Sequence, residues 1–178
     1  MPDRPLPKQA VVVVNVHSRR GQQAFEEACE RLGSAGIKVI DRHAVDEPDE
    51  MRPIIRKAIA DGAPMVIVGG GDGSLSTTID DFLGSETVFA FLPLGTANSF
   101  AKTLGVPIDL EGAIDVIANG RRKRIDLGYI DRDYFANAAA MGMSPLIAET
   151  VPHQLKRWLG MLGYAIWAIR VAFKFRPF

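Results

Sequence analysis

The chain has 178 residues, 47% of them hydrophobic and 24% charged, with a formal net charge of zero. That composition is ordinary for a soluble globular protein, and the length suits one domain, or one domain and part of a second. A lone cysteine, Cys29, excludes an internal disulfide.

Residues 10–16 are a continuous valine-rich run, which predicts a strand buried on both faces, as in a parallel sheet. Residues 22–32 read as a helix with Phe25, Cys29 and Leu32 inward. That spacing assigns Cys29 to core packing rather than catalysis. Residues 37–40 read as a second strand, 49–60 as a helix and 64–68 as a third strand. Pro53 is tolerable only near the first turn of the 49–60 helix. A helix over 75–83, a strand over 87–92 and helices over 98–104 and 110–118 follow, with Gly120 as a stop signal. The alternation predicts an α/β fold, a mostly parallel sheet flanked by helices, over residues 1–122.

From residue 123 the pattern changes. Residues 124–130 and 134–140 read as a β-hairpin turning at Asp131-Arg132-Asp133. They would open a β-rich second domain, incomplete over 123–178, because a sandwich needs more than two strands. Residues 152–175 read as one helix rich in large apolar residues. Its uncharged run, 158–169, is too short to span a bilayer. Its aromatic and basic residues suit a membrane interface, and packing on the second domain's sheet is the competing assignment. Apolar surface left exposed there would bring dimerisation or aggregation. Charge is uneven too: no Asp or Glu follows Glu149, whereas Lys156, Arg157, Arg170, Lys174 and Arg176 do. A basic end on a neutral chain suits an anionic surface as partner.

Three strand-to-helix turns carry the chemistry. The first is Asn15-Val16-His17-Ser18-Arg19-Arg20-Gly21, with short polar groups and two arginines able to meet phosphate. The second is Gly69-Gly70-Gly71-Asp72-Gly73-Ser74. Its glycines let the backbone approach a ligand, and its N–H groups with the following helix N-terminus favour anions. Asp72 would repel a bare phosphate, and a Mg²⁺ shared between carboxylate and phosphates resolves that conflict. Ser74 is a candidate phosphate donor and a candidate N-cap. The third turn is Pro93-Leu94-Gly95-Thr96-Ala97-Asn98-Ser99-Phe100-Ala101-Lys102, where Thr96 or Asn98 could cap the helix and face the cleft. In parallel α/β sheets, ligands sit at the carboxyl ends of strands, where these three turns would meet. The three histidines, His17, His43 and His153, show no ligand spacing for zinc. The run Arg121-Arg122-Lys123-Arg124 lacks interleaved aromatics, so nucleic acid is not an expected partner.

Together these turns resemble those of the diacylglycerol kinase and sphingosine kinase family of lipid kinases. Asp126-Leu127-Gly128 and the segment from Phe135 to Gly142 also resemble the start of that family's second domain. The resemblance implies a two-domain kinase that moves the γ-phosphoryl group of ATP-Mg²⁺ to a lipid hydroxyl. It implies nucleotide binding by Asn15, Ser18, Gly70, Gly71, Asp72, Gly73, Ser74 and Thr96, with Gly95 and Asn98 at the cleft. Asp72 would be the catalytic residue, organising Mg²⁺ or accepting the hydroxyl proton. Departures are Thr77 and Ser99, where the family usually has Glu and often has Asp, and an end at Phe178, where the family continues. The expected partner is a lipid at a membrane surface. The N-terminus lacks the order of an export signal, so the expected location is cytoplasmic, peripheral to the inner membrane surface. The alternatives are transfer to a soluble acceptor, since NAD kinase and phosphofructokinase share a similar loop, and a catalytically inactive nucleotide- or membrane-binding fragment.

Overall fold

The computed structural model describes residues 5–16, 19–131, 133–136, 150–151, 167 and 169–171. The chain falls into two compact units, Met1–Asn137 and Ala138–Phe178. In the second, the Trp167 indole N–H donates to Thr150 Oγ1 at 2.9 Å and the Arg170 guanidinium stands 5.6 Å from the Trp167 ring. Most of the helix expected over 152–175 lies outside the described residues. No helix among the described residues is long and apolar enough to cross a membrane.

The first unit is built on a four-stranded sheet with order β2-β1-β3-β4, and each neighbouring pair is parallel. Strand β1 (Gln9–Asn15) and strand β3 (Met65–Gly70) are central. Their valines and isoleucines alternate between two cores. Val12, Val14 and Ile67 face one side, where helices α1 (Arg19–Ser34) and α5 (Leu110–Asn119) pack with Phe25, Leu32, Ile114 and Ile117. Val11, Val13, Val66 and Val68 face the other, with Met51 and Ile55 of helix α2 (Pro48–Ala60) and Leu75 of helix α3 (Asp72–Thr78). A strand covered on both faces needs apolar residues at every position, which is why these two read as continuous runs. Cys29 is buried in the first core, and burial pushes its thiol up, keeping it neutral.

Strand β2 (Lys38–Val45) runs five residues past the expected end. Asp41, Arg42 and His43 interrupt its apolar pattern, but an edge strand tolerates charge. A register shift opposite Ala10 and Val11 leaves Ile40 as an unpaired bulge. Helix α2 starts with Pro48, where the missing N–H costs nothing. Pro53 falls further in and forgoes a bond to the Asp49 carbonyl. Helix α3 begins at Asp72, earlier than expected, and passes into a 3-10 turn over Ile79–Phe82. Strand β4 (Val88–Pro93) and the short helix α4 (Ser99–Leu104) follow. Asp109 caps α5, its Oδ1 accepting the Gly112 N–H at 2.8 Å.

The hairpin is shorter than expected. Strands β5 (Gly128–Ile130) and β6 (Asp133–Phe135) pair antiparallel, with Tyr129 opposite Tyr134. Residues 121–127 are irregular, so the basic run and Ile125-Asp126-Leu127 are not strand, and residues 137–140 lie outside the described set. Leu127 and Ala136 pack against the second core of the first unit.

Candidate active site at the carboxyl edge of the sheet

The three candidate turns meet where the fold requires. In the sheet register Val14 lies beside Gly69, and Gly69 and Gly70 lie beside Leu92 and Pro93. Asn15, Gly71 and Leu94 therefore leave one edge of the sheet together. The Asn15 Cβ is 3.8 Å from the position a Cβ on Gly70 would take. Ser18 lies outside the described residues, and the side chains of Arg19 and Arg20 are likewise not described.

The glycine hexapeptide is less of a loop than its sequence implies. Strand β3 includes Gly69 and Gly70, and α3 starts at Asp72, so Gly71 alone forms the turn. Each of its first three glycines has a steric reason. A Cβ on Gly69 would come within 2.6 Å of Val14 Cγ2, and one on Gly70 within 2.6 Å of Ser74 Cβ. A Cβ on Gly71 would stand 3.2 Å from the Gly95 Cα, and a Cβ on Gly95 would overlap the Gly71 Cα. The second and third turns are therefore pressed together backbone to backbone. Gly73 differs: nothing lies within 4 Å of its Cβ direction, and the residue is exposed.

Two capping expectations are corrected. Gly71, not Ser74, is the N-cap of α3 and supplies no side-chain bond. Ser74 is the third helical residue, buried beneath Gly70. Asn98 occupies the N-cap position of α4, but it is left-handed (φ 47°, ψ 47°) and does not cap with its side chain. Its Oδ1 accepts the Gly95 N–H at 3.0 Å. Its Nδ2 donates to the Gly95 carbonyl at 2.8 Å and the Pro93 carbonyl at 3.2 Å. Asn98 is buried, and its bonds shape the turn from within. Asn tolerates the left-handed conformation better than other side chains. Thr96 is exposed at the tip of that turn.

The cap of α4 comes from another element. Asp72 Oδ2 accepts the Ser99 N–H at 3.0 Å and Oδ1 accepts the Phe100 N–H at 3.1 Å. These are the first two orphan donors of the helix. Phe100 is buried with its ring edge-on to Phe91, which fixes α4 against β4. Burial alone would raise the Asp72 carboxyl, but the Ser99 and Phe100 N–H groups, the Ser99 hydroxyl and the Lys102 charge outweigh it and hold the carboxyl below its ordinary range. Sequence reasoning missed this bond because capping patterns look within three residues, and the partner is 27 positions away. Thr77, where the family resemblance leads one to expect Glu, donates its hydroxyl to the Gly73 carbonyl.

The donor set also bears on a metal. Each Asp72 oxygen accepts one N–H and keeps further lone-pair capacity. Among the described residues no three His, Cys, Asp or Glu side chains come together. Such a site fits a hard cation that keeps its waters and shares phosphate oxygens, and does not fit an all-protein cage.

Fold and edge together define an open parallel α/β domain with the three turns at the carboxyl end of its strands, where such domains commonly take their ligands. The family described as the diacylglycerol kinase catalytic domain matches residues 9–130, and the chain belongs to it. The chain is 35% identical over 156 residues to a "Probable lipid kinase YegS-like" of Chromohalobacter salexigens, covering 85% of this chain and 50% of that protein. It is 28% identical over 177 residues to a diacylglycerol kinase of Bacillus subtilis, covering 96% and 57%. A crystal structure of a diacylglycerol kinase from Bacillus anthracis matches with a TM-score of 0.63 at 22% identity, covering 72% of this chain and 48% of that one, a likeness of fold. The chain spans about half the length of the curated relatives it matches.

Proposed function

We propose that residues 1–122 are the nucleotide-binding part of a lipid kinase, which transfers the γ-phosphoryl group of ATP to a lipid hydroxyl. The observation that carries this reading is the close contact of Gly71 with Gly95, which joins two small-residue turns into one cleft floor. Phosphoryl transfer asks a protein mainly for positioning and charge neutralisation. The backbone about Gly71 and Gly73 would approach the phosphates, with Asn15, Ser18 and Thr96 along the rim. Gly70 and Ser74 sit behind them: the glycine makes room for the buried serine, which supports the turn. Gly95 and Asn98 keep the second turn low enough for a ligand to pass. Mg²⁺ bound with the nucleotide would neutralise phosphate charge, with Asp72 as the protein group able to hold it, through water. The acceptor would be met at a membrane surface where the lipid resides.

The test is phosphate transfer from radiolabelled ATP, offering diacylglycerol, sphingoid bases and NAD in parallel and separating products by thin-layer chromatography. Label on a lipid supports the proposal. Label on NAD alone replaces it with transfer to a soluble acceptor. Because the chain spans about half of its relatives, nucleotide binding with no turnover on any acceptor would identify a binding part without its catalytic complement.

A further inference from the structure

Asp72 bridges the glycine turn and the start of helix α4. The second turn is anchored at three points. Gly95 rests on Gly71, Asn98 ties the turn's own carbonyls and amide, and the Asp72 carboxylate grips the Ser99 and Phe100 amides where the turn becomes α4. Only the last contact is ionic, and only the last crosses from the glycine turn to the helix. The N-terminus of α4 already holds an anion supplied by the protein itself.

We propose that Asp72 is a positioning residue: by capping α4 across the cleft floor, it fixes the 95–98 turn against Gly71 and so sets the spacing of the two turns that receive the nucleotide. This rests on the reading of that edge as a nucleotide cleft. It gives Asp72 a role beside its water-mediated hold on Mg²⁺, and one distinct from accepting the substrate proton. A carboxylate whose two oxygens each accept a main-chain N–H is a poor base, because those bonds favour its ionised form.

Calorimetry of ATP binding to the full chain and to Asp72→Asn, each with Mg²⁺ and with EDTA, separates the roles. The positioning role expects Asp72→Asn to weaken binding in both conditions, about tenfold with Mg²⁺ on the scale of losing charge-assisted hydrogen bonds, and less with EDTA, where the variant also relieves repulsion of the bare phosphates. Asn98→Ala loosens the same turn from the other side while leaving Asp72 in place. Its loss should not add to that of Asp72→Asn in the double variant, since both act through one turn. A loss confined to Mg²⁺-loaded nucleotide would leave Asp72 with the metal role alone and overturn the proposal. Unchanged affinity in a less stable Asp72→Asn protein would reduce the bond to fold support and overturn it too. Should Asp72→Asn fail to fold, the wild-type amide resonances of Ser99 and Phe100 decide. They should stay hydrogen-bonded when Mg²⁺-ATP is added, and loss of those bonds on binding would refute positioning. Failure of the wild-type chain to bind ATP at all would count against the cleft reading.

Discussion

Gly71 and Gly73 stand two residues apart, and packing explains only the first. Gly71 abuts the Gly95 backbone, whereas Gly73 lies in α3 with open space where a side chain would go. Glycine within a helix costs about 0.5–1 kcal/mol relative to alanine. Gly73→Ala should therefore raise the melting temperature by about 1–4 °C. In the proposed cleft the added methyl would stand in the path of the phosphates, so ATP affinity should fall about tenfold on the scale of lost charge-assisted bonds. A stabilised variant that binds ATP normally would move the ligand elsewhere. Asp72 gives a second residue-scale expectation, with the sign set by its lowered carboxyl. A group with a folded-state pKa below its unfolded value contributes stability above the ordinary carboxylate range, and loses it as pH falls through the folded value. The stability gap between wild type and Asp72→Asn in urea should be constant near neutral pH and should close in strong acid. A gap that persists when all carboxylates are protonated would deny the cap its ionic character.

At the scale of elements, an ion cluster ties α2 to the 3-10 turn after α3. Arg52 grips Asp81 with Nε at 3.1 Å and Nη2 at 2.9 Å and reaches Asp80 at 2.8 Å, while Arg56 Nε meets Asp81 Oδ1 at 2.8 Å. The Asp81 side chain is 4% exposed and those of Arg52 and Arg56 are 32% and 62% exposed. Asp81→Ala should cost about 1–3 kcal/mol in urea unfolding, less than for a fully buried pair because both arginines can rehydrate. Ile67→Ala in β3 should cost about 2–5 kcal/mol, since Ile67 is fully buried in the core. No measurable loss in either variant would contradict the packing described. The elements most legible in sequence were those covered on both faces, such as β1 and β3, whose apolar runs leave one reading. The end of β2 was not legible, because Asp41, Arg42 and His43 look like a loop until the strand is known to lie at an edge. The start of α3 was hidden for a related reason: Gly73 and Ser74 are poor helix formers, and the helix forms regardless because Leu75 and Ile79 are buried. The small-residue turns of the proposed cleft could be read locally. The Asp72 cap and the inward orientation of Asn98 could not, because both depend on where β4 delivers residue 98.

For the molecule as a whole, the first unit carries the sheet, both cores and the three turns. ATP binding by the 178-residue chain and lipid phosphorylation by it are separate expectations, and calorimetry beside the thin-layer assay reports them separately. The bond from Asp72 to Ser99 spans 27 positions, and strand β4 lies inside the loop it closes. Long loops close only when other contacts repay their entropy, and the pairing of β4 with β3 is such a contact. A nascent chain that has emerged only through Gly73 can pair β1, β2 and β3, yet its glycine turn faces no partner. The floor of the proposed cleft needs residues as far along as Phe100, so it is not a property of the glycine motif alone.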